Sequence, residues 1–194
     1  MSIAMSLLAI LEEEPTYGLH LRNEFESRTG AMWPLNVGQV YATLSRLERD
    51  GLVRALREGP EGQKVYEVTA SGRERLLGWF GTSIQTLPPA RDELVLKLIM
   101  TIGREDASSE DVIQRERKSA VQLLQELTTL KRNGSTESDL GWAFLLDSLI
   151  FQTEARVRWL DDCEARLRKA TVSGTLTRRK PRRSPARETI EASR

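Results

Sequence analysis

The hydrophobic period of this chain changes once, and that change limits the fold more than anything else in it. Up to Asp50 apolar residues recur at helical spacing, whereas from Leu52 to Thr69 they fall into two short β-prone runs, so short helices must be closed by a hairpin within one block. Ile3, Leu7, Ile10 and Leu11 form the first stripe, which Pro15 stops, and Tyr17, Leu21 and Phe25 form a second that runs to Gly30. A third helix follows Pro34. Asn36 with Gln39 three positions on is a capping-box start, and Gly51 is the expected C-cap after Asp50. Leu52 to Arg57 and Lys64 to Thr69 flank the turn Gly59, Pro60, Glu61, Gly62. Three helices and a hairpin wing make a winged helix-turn-helix, which we place with a linker helix (Ser71 to about Leu87, along Leu76, Phe80 and Ile84) in residues 1–87.

Residues 88–170 have a different texture, being long helical pattern throughout, so the expected class is mainly α. Leu94, Val95, Leu98, Ile99 and Ile102 make one stripe; Ile113, Ala120, Leu124 and Leu127 mark a helix from about Ser109 to Arg132. The last helix, Asp139 to about Lys169, carries Trp142, Leu146, Leu149, Thr153, Arg156, Leu160, Cys163 and Leu167 at alternating steps of four and three. A seam of that length wants a partner, and Leu146, Leu149, Leu160 and Leu167 are its dimerisation candidates. Residues 171–194 hold 7 basic against 2 acidic side chains with Pro181 and Pro185, a composition read as a flexible basic tail.

Composition narrows the chemistry. One Cys and one His exclude an intramolecular disulfide framework, a Cys-rich zinc site and a His-based metal centre. There is no Gly-rich phosphate loop and no nucleophile elbow, so neither catalysis nor a cofactor is expected. No run of about 18 apolar residues could span a bilayer, and no signal peptide is evident, which makes the reducing cytoplasm the expected compartment. Cys163, among Asp161, Asp162 and Glu164, reads as an inert thiol. His20, with Glu24 at helical spacing, reads as a surface residue, and Trp33 and Trp79 read as packing.

The third helix is the most informative segment. With Val40 set at zero on a helical wheel, Leu44 and Leu47 fall beside it, while Gly38, Gln39, Ala42, Ser45, Arg46 and Arg49 fall on the other side. A face that is small, polar and basic suits a major groove: little bulk near the N-terminus, a Gln able to pair with adenine, and Arg able to hold guanine or phosphate. Tyr41 lies on the flank, where a hydroxyl reaches phosphate. The competing reading is an ordinary amphipathic surface helix in which Gln39 only caps its own N-terminus, the whole block serving as a protein-interaction module.

Three stretches resemble the PadR family of transcriptional regulators: YGLHL at Tyr17 to Leu21, GQVYATLSRLERDGLV at Gly38 to Val53, and KVYEVTASGRERL at Lys64 to Leu76. The segment from Arg91 to Leu98 resembles, more loosely, the start of the helical region in the longer subfamily. The resemblance implies a winged helix joined to a helical dimerisation domain, and ligand-controlled binding of double-stranded DNA, usually as a repressor. It implies DNA contacts from Tyr17 and Gly18 at the entry to the second helix, from Gln39, Tyr41, Ala42 and Arg46, and from a basic wing. This chain departs from the pattern at Gln63, where many members place an Arg, and Glu58 and Glu61 flank the wing turn, leaving Lys64 and Arg57 as wing cations. In some members the dimer encloses a flat pocket for planar aromatic compounds, which makes Trp142 and Trp159, with Phe144 and Phe151 nearby, candidates for a small aromatic effector. Two third helices in successive major grooves would sit about 34–36 Å apart and read an inverted repeat.

Overall fold

The computed structural model describes residues 2–58, 63–84, 92–104, 106–133 and 139–174. The wing turn 59–62, the junction 85–91 and most of the basic tail therefore lie outside the described residues. The elements are α1 (Ser2–Glu13), β1 (Thr16–Tyr17), α2 (Gly18–Arg28), α3 (Val37–Arg49), β2 (Val53–Glu58), β3 (Lys64–Val68), α4 (Ala70–Gly81), α5 (Glu93–Thr101), α6 (Ser109–Asn133) and α7 (Leu140–Val172). Contacts divide the chain into two units, Met1–Leu87 with Thr136–Leu145, and Pro88–Ser135 with Leu146–Arg194. The first turns of the last helix thus belong with the N-terminal block.

In the first unit, Leu7, Leu8 and Leu11 of α1, Leu21 and Phe25 of α2, and Val40, Leu44 and Leu47 of α3 share one core with Val53, Tyr66, Val68 and Leu76. The sheet has the order β1-β3-β2, all antiparallel, with Thr16 opposite Tyr66, Val53 opposite Val68, and a bulge between Ala55 and Arg57. Tyr17 consequently lies in a strand and caps α2 rather than opening its apolar stripe. Two residues are too few to show a period of two, and Pro15 before them removes the helical option for Glu14.

Two turns fix the position of α3. At its start Asn36 Oδ1 accepts from Gly38 N at 2.8 Å while Gln39 Oε1 accepts from Asn36 N at 3.4 Å, the capping box expected from sequence. At its end Gly51 is left-handed (φ 72°); Leu52 N donates to Leu47 O at 2.8 Å and Gly51 N to Glu48 O at 3.0 Å, a Schellman motif. The start of α4 docks on that motif. Thr69 Oγ1 donates to Gly51 O at 2.7 Å, and Gly72 is required because a methyl there would overlap the Leu52 carbonyl oxygen. Helix α4 ends at Gly81, six residues before the expected Leu87, with Gly78 and Gly81 both weakening the pattern.

The turn from α2 to α3 is clamped from both sides. Arg22 Nε donates to Leu35 O at 2.8 Å, Leu35 N donates to Glu26 Oε1 at 3.0 Å, and Arg22 pairs with Glu26 at 3.1 Å. Gly30 and Ala31 are both left-handed, and the ring of Trp142 rests on Gly30, three of its carbons lying within 2.7 Å of where a side chain would begin.

In the second unit, Leu94 and Leu98 of α5 pack on Ile113 of α6 and Leu160 of α7, with Trp159, Cys163 and Leu167 around them. Asp92 caps α5, accepting from Leu94 N at 2.8 Å. The buried Glu164 carboxylate receives Gln114 Nε2 at 2.9 Å and also pairs with Arg117 and Arg168, joining α6 to α7. Among the described residues no helix is long and apolar enough to cross a membrane.

Candidate nucleic-acid interface

Helix α3 presents two faces with nothing in common. Val40, Leu44 and Leu47 are buried in the core and Thr43 is buried with its hydroxyl donating to Gln39 O at 2.8 Å, whereas Gly38, Gln39, Tyr41, Ala42, Ser45, Arg46 and Arg49 are all exposed. The capping box and the Schellman turn hold both ends, so the exposed face sits on a rigid rod. Tyr41 stands at 38% exposure with its ring against Gly18, where a methyl would come within 2.8 Å of it. Gly18 is therefore buried beneath Tyr41, and its part in the site is to make room for that ring rather than to touch a ligand itself. Tyr17 is half-buried, 6.1 Å ring to ring from His20.

Gln39 is engaged. Its Oε1 accepts from the Asn36 N–H, so a bidentate grip on adenine, which needs that oxygen, requires the long cap bond to open first. The amide nitrogen makes no such demand.

Among the described side chains of the wing and the end of α3 the cations are paired within the chain, while the side chain of Arg57, the other expected wing cation, lies outside the described residues. Lys64 Nζ donates to Glu48 at 2.8 and 2.9 Å and lies 5.2 Å from the centre of the Tyr66 ring. The Glu48 hydrogen bond holds the Lys64 ammonium above the usual lysine range. Arg54 pairs with Glu67, and Arg49 approaches Asp50 at 3.5 Å. Arg46 differs: among the described residues its one hydrogen-bond partner is Thr43 Oγ1 at 3.5 Å, and no carboxylate stands within ion-pairing distance of it.

The remaining candidates separate. Trp142 packs on the Gly30 turn in the first unit and Trp159 packs on the α5–α6 core in the second; seventeen residues of α-helix span about 25 Å, so the two do not line one small pocket of a single chain. Of the seam residues, Leu146 and Leu160 are fully buried within the chain and offer no area to a second copy, while Leu149 and Leu167 are half-buried. Sequence spacing identified a real apolar face but could not tell an internal neighbour from an external one. The exposed large apolar positions of α7 are instead Leu140, Phe144 and Phe151, each near two-thirds exposed, and Val172 at its C-terminal end. Trp33, expected to pack, is 54% exposed, and Trp79 is 37% exposed. His20 faces Glu14 at 3.7 Å, since Glu24 is taken by Arg28. Burial first, and the Asp162 carboxylate second, push the Cys163 thiol up, which leaves it a poor nucleophile.

The chain is similar to known proteins. Residues 7–77 match the transcriptional regulator PadR-like family, and residues 90–168 match the virulence activator alpha C-terminal family. A probable transcriptional regulator of Mycobacterium tuberculosis is 31% identical over 94 residues, 47% of this chain and half the length of that protein. The negative transcriptional regulator PadR of Bacillus subtilis is 23% identical over 175 residues, 84% of this chain and 96% of that one. Two crystal structures of the Bacillus protein resemble this fold: one in complex with operator DNA (TM-score 0.65, 20% identity) and one in complex with p-coumaric acid (TM-score 0.67, 19% identity), each covering 85% of this chain and 98% of that one.

Proposed function

Because the chain belongs to the PadR-like family of transcriptional regulators, we propose that it reads a specific duplex sequence through α3, as a homodimeric repressor on an inverted-repeat operator in the cytoplasm, and that a small aromatic ligand releases it. The observation that carries the reading is the α3 face: Gly38, Gln39, Tyr41, Ala42, Ser45, Arg46 and Arg49 all exposed on a helix pinned at both ends. Gly38 and Ala42 let the backbone approach base edges, Arg46 brings an unneutralised guanidinium suited to guanine O6 and N7 or to phosphate, and Tyr41 brings a hydroxyl to the groove wall. The likeness to a protein crystallised with operator DNA supports the same docking, and that to a negative regulator supports repression.

Dimerisation is supported by apolar surface that a lone chain leaves in water. Leu140, Phe144 and Phe151 recur on one side of α7, and Ile99 and Met100 of α5 are more than half exposed. Two copies burying such faces would set the spacing of their α3 helices, and a ligand that prefers one spacing would shift the population toward it. The effector reading rests on the likeness to the p-coumaric acid complex, with Trp142 and Trp159 as its residues, one from each region of α7.

Selection of bound sequences from a random duplex pool at about 150 mM salt tests the proposal. An enriched inverted repeat with half-sites one helical turn apart is expected. Failure of a folded, dimeric protein to enrich any sequence would overturn it and favour the protein-interaction reading, which the pairing of Lys64 with Glu48 and of Arg54 with Glu67 supports.

A further inference from the structure

The turn that leads the chain into α3 is strained and thinly covered. Gly30 and Ala31 are both left-handed, with φ of 54° and 56°, a region that residues bearing a side chain seldom enter. Thr29 is half-buried and residues 30–34 are exposed, so the turn has little core of its own. Its hydrogen bonds converge on Glu26: Ala31 N donates to Glu26 O at 2.7 Å, and Leu35 N donates to Glu26 Oε1 at 3.0 Å. Leu35 is buried, and Asn36 after it caps α3. A relaxation at Ala31 would therefore shift the grip on Leu35 and, with it, the first residues of the reading helix.

The side chain packed on that turn comes from a helix remote in sequence. Three ring carbons of Trp142 lie against Gly30, within 2.7 Å of where a side chain would begin. The ring has a fixed base, because Trp142 N donates to Asp139 Oδ1 at 2.9 Å in the cap of α7. Strained backbone persists only where its surroundings over-determine it. We propose that Trp142 is a positioning residue for DNA reading, bracing Gly30 and Ala31 in their left-handed conformation and so aiming the N-terminal turn of α3. The proposal rests on the DNA-reading role argued above and adds to it a residue from outside the winged-helix part of the sequence, one that acts on the turn and needs no ligand to do so. Base readout depends on that aim, since a binding constellation must be held to about 0.5 Å, whereas phosphate contacts carry no sequence information. Loosening the turn should thus remove specificity and spare non-specific binding.

Anisotropy titrations of the full-length protein, well below its melting temperature, compare the duplex enriched by the unaltered protein with a scrambled duplex of the same length and composition. Trp142→Ala is expected to lower the ratio of specific to non-specific affinity at least about tenfold, the loss of about one base contact, and Trp142→Phe to restore most of it. A merely structural role would reduce the folded fraction and scale both duplexes alike, leaving the ratio unmoved. Leu160→Ala, a packing loss in the core of the second unit, is the destabilised control and is expected to keep the ratio. Amide exchange in the free protein supplies an arm without DNA: Trp142→Ala is expected to speed exchange of the Ala31 amide at least about tenfold, and Trp142→Phe to leave it near the unaltered rate. An unchanged ratio in Trp142→Ala, an equal fall in Leu160→Ala, or an Ala31 amide indifferent to Trp142 would each overturn the proposal. Absence of any enriched duplex for the unaltered protein would fail the DNA reading and take the aiming role with it, a failure distinguished from the others because Ala31 exchange would still respond to Trp142→Ala.

Discussion

Glu48→Gln should add an unpaired cation, Lys64, to the wing. Lys64 donates both of its short hydrogen bonds to Glu48, so removing that carboxylate frees one ammonium per chain while leaving an amide of the same shape at a half-exposed position. Each phosphate neutralised by a protein cation steepens the slope of log K against log salt by about 0.9 on B-DNA, hence by about 1.8 for a dimer. Over a fourfold drop from 200 to 50 mM salt, the advantage of the variant over the unaltered protein should grow by 4 to the power 1.8, or about twelvefold. Protonation does not confuse the result. Glu48 holds the Lys64 ammonium above its ordinary value of 10.5, a contribution present below that value and lost only as pH rises past the raised one. The ammonium is therefore charged at pH 6.5 and 8.5 with or without Glu48, and the slope difference should be the same at both. Fluorescence anisotropy of a labelled duplex at five salt concentrations measures it. An unchanged slope would mean the wing stands away from the backbone and would refute the assignment of Lys64 to the interface.

Four further outcomes are expected. Arg46→Ala should cost roughly 1–3 kcal/mol of operator binding with no change in melting temperature, because the side chain is exposed and lacks an ion pair among the described residues. Gly30→Ala should lower stability by about 2–5 kcal/mol in denaturant titration, adding a left-handed backbone penalty to overlap with the Trp142 ring. Leu160→Ala, at a fully buried position among Leu94, Leu98 and Ile113, should cost about 2.7–5 kcal/mol by the same measurement and leave a cavity. Arg28 hydrogen-bonds the Glu13 carboxylate and holds it below its ordinary 4.5; the pair stabilises the fold above that value and loses its effect as pH falls through the lowered one, so Glu13→Gln should flatten the acid limb of a stability curve slightly, by less than about 1 kcal/mol for so exposed a pair.

What the sequence made legible was whatever is encoded within a few residues. The capping box of Asn36 and Gln39, the Gly51 turn and the division of α3 into core and exposed faces are all local patterns, and all appear as expected. What it concealed depends on contacts between distant segments. The strand at Thr16 and Tyr17 exists only because β3 is there to pair with it, and Gly30 looks like any loop glycine until Trp142, more than a hundred residues on, is seen to cover it. The seam of α7 failed in a related way: Leu146 and Leu160 have the spacing of an interface and the burial of an internal core. Period reports that a face is apolar, not whose surface will cover it.

Charge shows the same limit more sharply. Counted along the chain, Asn36 to Arg57 is net positive, with Arg46, Arg49, Arg54 and Arg57 against Glu48 and Asp50, and nothing in the count distinguishes one Arg from another. Folding does, because Arg54 turns to Glu67 across the sheet, Arg49 to the adjacent Asp50, and Lys64 across to Glu48. Among the described side chains of the first unit, what remains for an external anion is a pair of guanidiniums from different elements, Arg46 of α3 and Arg75 of α4, the second of which carried no signal in the sequence. An ion pair already made inside the chain must be broken before its cation can serve a ligand, so the unpaired cations define where an anion binds most cheaply, and both lie in one groove. The strength of this interface is therefore set less by how many cations surround α3 than by which carboxylates stand beside them. Substitutions of Glu48 and Glu67 should tune DNA affinity as effectively as substitutions of the arginines themselves.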